Sequence, residues 1–187
     1  MQNPLLKSKN IYLRALVPED ANGNYPSWLN DEKISAYNSH HTFGYTKEQA
    51  LEYINSSIGS RANLILAITD IESNRHIGNV ALQNINWINR NAEFAILIGE
   101  SDFHKKGVGK EAMNLILEHG FSALNLHRIY CGTPVKNSSM RSLAQFFNMS
   151  EEGLRKEAFY KNGSYHDIVE YGLLRGEYYE HKNRQLG

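Results

Sequence analysis

The chain has 187 residues, enough for one domain with a sizeable buried core. Lys plus Arg and Asp plus Glu each number 20, so the net charge is zero with His neutral, which argues against a nucleic-acid or anionic-membrane binder. One cysteine, Cys131, excludes a disulfide framework within the chain and suits a reducing compartment, where a buried structural thiol is its expected role. The opening MQNPLLKSKN has no apolar signal core, and no stretch approaches the roughly 20 apolar residues of a membrane span. A cytoplasmic protein with no membrane and no nucleic-acid partner is expected.

In chain order, Ile11 to Leu16 alternates as a first strand. Pro18-Glu19-Asp20 starts a helix whose apolar side holds Tyr25, Trp28 and Leu29. A polar and aromatic loop, Asn38 to Tyr45, leads to Thr46-Lys47-Glu48-Gln49, which has capping-box spacing for a helix to about Ile58. Leu64 to Ile68 and His76 to Trp87 read as antiparallel strands joined by a turn with Asn74 left-handed. Arg128 to Thr133 is a later strand, and Ser138 to Phe147 a helix capped by Asn137 and closed by Asn148 in a left-handed conformation. Leu154 to Tyr160, Asn162-Gly163 and Tyr165 to Leu174 form a hairpin with a two-residue turn. The expectation is a single domain over 1–187, with its core at about 10–175 and a polar tail at 176–187 that frays.

The most informative stretch is Asn91 to Lys110, NAEFAILIGESDFHKKGVGK. A short apolar run is followed by a glycine loop and then by an amphipathic segment carrying Ala112, Met113, Leu115, Ile116, Phe121 and Leu124. Strand, helix and strand in that order imply a parallel crossover between Phe94–Ile98 and Arg128–Thr133. Two glycines at a helix start let backbone N–H groups converge, and the helix dipole adds positive charge, so the loop suits an anion. A turn that merely caps a surface helix is the alternative. The chain has neither GxxxxGK[ST] nor GxGxxG, which sets aside the Walker and dinucleotide loops.

H-K-K-G-V-G resembles the R/Q-x-x-G-x-G/A loop of the GNAT N-acetyltransferase superfamily, and Asn91–Gly99 resembles that family's fourth strand. Asn137 to Gly153 resembles its later N-x-x-S segment. The nearest branch by this resemblance is the ribosomal-protein N-terminal (Rim-type) acetyltransferases. The resemblance implies a mixed α/β fold, a mostly antiparallel twisted sheet with one parallel splayed strand pair, flanked by helices. It implies acetyl-CoA as co-substrate and no metal. The pyrophosphate would be held by His104, Lys105, Lys106, Gly107, Val108, Gly109 and Lys110, and the pantetheine arm by the backbone of Ile96, Leu97 and Ile98 and by Asn137. His40, His41 and Tyr45 would lie beside the acceptor.

Acetyl transfer needs a neutral amine, a polarised thioester carbonyl, two reactants held together and a proton for the thiolate. Glu93 is the one carboxylate in its strand and the candidate base. Its alternatives are a Glu on the solvent face of an edge strand, or one that binds the ammonium without taking its proton. By the same resemblance many relatives carry a Tyr, and Rim-type ones often a Ser, as acid where this chain has Ala144 and Met140, leaving Ser138 or Ser139 as candidates, Ser139 foremost, or water or the product ammonium. The aromatic hairpin (Phe159, Tyr160, Tyr165) and His166 are either core or pocket wall. The expected function is direct transfer to a small amine, such as an amino sugar, or to a protein N-terminus, by a monomer or homodimer. A non-catalytic acyl-CoA-binding domain of the same fold is the alternative.

Overall fold

The computed structural model describes residues 3–186. Its sheet has eight strands in the order β1-β2-β3-β4-β5-β6-β8-β7. The strands are β1 (Leu6–Lys7), β2 (Ile11–Ala15), β3 (Leu64–Asp70), β4 (His76–Asn86), β5 (Asn91–Ile98), β6 (Arg128–Pro134), β7 (Ser150–Lys161) and β8 (Ser164–Leu174). The helices are α1 (Tyr25–Asn30), α2 (Lys47–Ser57), α3 (Val108–Ser122), α4 (Ser138–Phe146) and α5 (Arg175–Leu186). Neighbouring strands run antiparallel except β5 and β6, which are parallel, as the intervening helix requires. This is the mixed, mostly antiparallel architecture expected.

Period-two alternation divides the sheet residues between two cores. On one face Leu66, Ile68, Val80, Leu82, Ala92, Phe94, Ile129 and Val169 pack with Met113, Ile116 and Phe121 of α3 and Ala144 of α4. On the other, Ala67 packs with Trp28 and Leu29 of α1 and Ala50 and Ile54 of α2, and Leu97 joins them half-buried. Glu93, two residues before Ala95 on β5, shares the second face with Leu97.

Several local expectations hold. Thr46 forms a reciprocal capping box with Gln49. Asn74, Asn148, Asn162 and Gly163 all have positive φ, the last two forming the tight hairpin turn. The helix expected from Pro18 is instead two pieces, a 3-10 turn over Pro18–Asn22 and then α1. Asp20 folds back to accept from the Val17 N–H at 2.9 Å and to pair with Arg14, and this closes the first piece as a tight turn. The tail expected to fray is α5 as far as residue 186, with residue 187 outside the described part. Its Tyr178 is buried against Phe121, ring centroids 5.2 Å apart, and its hydroxyl donates to Glu118 at 3.1 Å. A polar composition concealed one apolar anchor.

Candidate active site

The parallel pairing of β5 with β6 is short. It joins Asn91 to Arg128, Ala92 to Ile129 and Glu93 to Tyr130, and stops there. Phe94–Ile98 continues to pair with β4 on one side only, and Cys131–Pro134 with β8 only. The strands therefore part from Glu93 and Tyr130 onward. Backbone groups of successive residues point to opposite edges of a strand, so those of Ile96 and Ile98 face that gap, where no neighbouring strand takes them up, and such groups demand a partner. The splay that sequence could not show is present, and it begins at the candidate base.

At the wide end of the gap lies the glycine loop. Lys105 has φ 60° and Gly107 φ 83°, and α3 starts at Val108. A left-handed residue beside the first helical turn can turn N–H groups toward one point at the positive end of the helix, an arrangement that suits an anion. A Cβ placed on Gly109 would meet only Ile96 Cδ1 at 4.0 Å, and one on Gly107 would meet nothing within 4 Å. The protein's own packing does not require the bare backbone at Gly109, so the space above it suits a close ligand. His104 is not directed at that point, because its Nε2 lies 3.0 Å from the Ile98 carbonyl and ties the loop to the end of β5. Lys106 stands over the Phe103 ring and Lys110 over the Phe146 ring at 3.9 Å from the centroid. Both ammonium groups stay exposed, as does Lys105.

Asn137 caps α4 by accepting from the Met140 N–H at 3.2 Å and donates from Nδ2 to Thr133 Oγ1 at 3.0 Å. This fixes the amide at the β6–α4 corner, with one Nδ2 proton left over. Ser138 and Ser139 are exposed in the first turn of α4. Ala144 is fully buried in the core.

Glu93 is half-buried on the fifth of eight strands, which rules out the solvent face of an edge strand. Its Oε2 accepts from Asn84 Nδ2 at 3.0 Å. Asn84 reaches it because β4 is bulged between Gln83 and Asn86, with Asn84 at φ 52°. Cys131 is buried, and burial, followed by the charges of Glu170 and Glu93, pushes its thiol up to about 12. A thiol protonated that firmly is structural and no nucleophile.

The expected acceptor residues divide. Lys161 of β7 donates to the carbonyls of Asn38 and His40 at 3.2 and 3.0 Å, holding the α1–α2 loop against the hairpin tip. Partial desolvation in that loop and then the Lys161 charge hold the His40 imidazole below its ordinary range. His41 is exposed at φ 63°. Tyr45 instead packs in the second core, 6.4 Å from the Tyr25 ring. In the hairpin Phe159 is buried beside His166, whereas Tyr160 and Tyr165 are exposed and cover one another. Sequence reading passed over Tyr130 and Glu170. Alternation along β8 was the available signal, since it puts His166, Ile168 and Glu170 on one face.

A family model for the acetyltransferase (GNAT) domain matches residues 10–149. The chain belongs to the GNAT acetyltransferase family. A spermidine N(1)-acetyltransferase of Vibrio cholerae is 35% identical over 127 residues, 68% of this chain and 72% of that one. YdaF of Bacillus subtilis, provisionally named a ribosomal N-acetyltransferase, is 32% identical over 101 residues, 54% of this chain and 55% of its own. The crystal structure of a Vibrio cholerae spermidine N-acetyltransferase in complex with CoA and spermine superposes with a TM-score of 0.83 at 30% identity, over 90% of this chain and 98% of that one. This acetyltransferase is thus an enzyme that transfers acetyl from acetyl-CoA to an amine. No helix among its described residues is long and apolar enough to cross a membrane.

Proposed function

We propose that the acceptor is a polyamine or a closely similar small polycation, that Glu93 is the base, and that the glycine loop holds the CoA pyrophosphate. The observation that carries this is the half-buried carboxylate of Glu93 at the last paired rung of the splay. Its side chain faces the α2 side of the sheet, away from the glycine loop's helix. A cationic amine entering from that side meets a carboxylate before it meets the thioester. The spermidine acetyltransferases among the relatives support the same acceptor class.

The step follows from what each group does. Glu93 takes a proton from the ammonium, directly or through one water, and frees the nitrogen lone pair. The nitrogen attacks the thioester carbonyl carbon while β5 N–H groups of the Ile96–Ile98 run stabilise the oxygen as its charge grows. The loop from His104 to Lys110 and the amide of Asn137 fix the other end of the co-substrate and supply proximity. With Ala144 in place of an aromatic acid, the departing thiolate receives the proton that the acylated nitrogen sheds, passed on at the open mouth by Ser139 or by the water around it. His40 and His41 line the acceptor side in this reading, and Tyr45 supports the loop from below.

YdaF supports a second reading, a Rim-type enzyme acting on a protein N-terminus. Free-thiol release from acetyl-CoA, measured against polyamines, amino sugars and peptides with varied N-termini, decides between them. Release with polyamines alone is expected, and release with peptides alone overturns the proposal. The whole chain is read as one cytoplasmic acetyltransferase domain. One Vibrio cholerae spermidine N-acetyltransferase is dodecameric, and light scattering on this chain separates such an assembly from the monomer or homodimer expected from its sequence.

A further inference from the structure

Glu93 has a counterpart across the gap. Glu170 on β8 pairs in register with Gly132 of β6, and its carboxylate lies directly over that glycine. A Cβ built on Gly132 would meet Glu170 Oε1 at 3.0 Å and Oε2 at 3.1 Å. Because Gly132 has no side chain, Glu170 can lean across β6 toward the splay. The charges of Glu93 and Glu170 are both felt at the same two residues of β6. After burial, both charges push the Tyr130 hydroxyl upward, and both act on Cys131. Glu93, Tyr130, Gly132 and Glu170 follow the same alternation and share the acceptor-side face of the sheet.

We propose that Glu170 is a specificity-determining residue that holds a second ammonium of the acceptor while Glu93 receives the reacting one. Glu93 is level with Tyr130 and Glu170 with Gly132, so the two stand two strands across and two residues along from each other, roughly 12 Å between backbones by strand spacing and rise, and the two side chains reach inward from there. The remaining span suits two nitrogens on a short methylene spacer. Gly132 is exposed and adds no side chain of its own between the carboxylates, where Ile168 Cγ2 and the Tyr130 side chain flank the path. Glu170 is already paired with a cation, because Arg155 of β7 donates from Nε to its Oε1. Arg155 has a mostly exposed side chain, 61%, whereas that of Glu170 is 28% exposed. An incoming ammonium competes with a solvated guanidinium for a more sheltered carboxylate, and an exposed pair of this kind is weakly held.

The inference rests on the polyamine reading, and the experiment separates the two. Steady-state kinetics of the full chain are measured with spermidine and with a monoamine of similar length. In Glu170→Gln the KM for spermidine rises roughly tenfold with kcat little changed, the signature of lost uniform binding, and the monoamine KM stays put. In Arg155→Gln, a change on the exposed outer strand, the KM for spermidine falls severalfold because Glu170 is released from its internal partner. Failure of either spermidine KM to move in its stated direction overturns the seat while leaving the acceptor class intact. A parallel rise for the monoamine in Glu170→Gln also overturns it. If the unaltered enzyme acetylates no polyamine, the acceptor class falls and the seat falls with it.

Discussion

Asp20 and Glu93 lie over the same face of one sheet, yet their surroundings are opposite in kind. Asp20 is buried, and both its oxygens are taken. Arg14 grips it through two bonds of 2.7 and 2.8 Å, the Val17 N–H donates at 2.9 Å, and His76 Nδ1 stands 3.4 Å away. Desolvation alone would push this carboxyl up, but Arg14, His76 and the Val17 N–H hold it well below the usual carboxylate range. Among the described residues Glu93 has one hydrogen-bond partner, the Asn84 amide, beside a gap between strands. A carboxylate with its bonding capacity filled fixes structure, whereas one with capacity left over beside an opening can bind and exchange a proton. The closed site ties β2 to the turn before α1, and the open one, in the function proposed above, faces the acceptor.

The largest effect expected tests the open half. Glu93→Gln keeps the shape and the bond from Asn84 but cannot take a proton. It should lower kcat by roughly 10²–10⁴-fold, the usual worth of a general base, with acetyl-CoA affinity by calorimetry unchanged. A drop of only a few-fold with a raised amine KM would make Glu93 an ammonium anchor and remove the catalytic side of the comparison.

The next effect tests the closed half. Asp20→Ala leaves the Arg14 guanidinium buried without its partner and should cost about 3–5 kcal/mol in denaturant unfolding. The pH dependence has a definite sign. A carboxyl whose folded pKa is depressed contributes stability that is fully present above its unfolded value, near 3.9, and is lost as pH falls toward the lower folded value. The unaltered chain should therefore weaken below about pH 4 by this route, and Asp20→Ala should lose that part of the acid dependence. Equal acid slopes in the two proteins would show that Asp20 does not carry it.

The closed site and the open one were unequally legible in the sequence. Strand and helix positions followed from alternation and capping, and Asn137, Thr46 and the Asn162-Gly163 turn announced themselves because their chemistry is local. Gly107 and Gly109 were legible for the same reason. The Arg14–Asp20 pair was not, because two charges six residues apart resemble solvated surface until the fold buries them. Glu170 was hidden by distance: it lies 77 positions beyond Glu93 and meets it only through the order β5-β6-β8. The parting of β5 from β6 depends on where pairing stops, and no residue type encodes that. α5 was missed because its one buried anchor, Tyr178, is masked by polar neighbours.

The smallest effect concerns pH near neutrality, where Asp20 is silent and the open region is not. His40 lies in the loop that Lys161 holds by two carbonyls, and desolvation, then the Lys161 charge, disfavour its protonated form. Between its depressed folded pKa and its ordinary value near 6.5, the unfolded chain binds more protons, so stability falls as pH drops through that window. Lys161→Met removes the cation and frees the loop. The His40 ring protons, followed by NMR titration, should then move at a pH closer to the ordinary value, while stability at pH 8 changes by about 0.5 kcal/mol or less. An unmoved titration would show that burial alone sets the imidazole. A shift would tie the loop's charge state to the hairpin, and for the polyamine acceptor proposed above a neutral His40 is the state in which that side of the site repels it least.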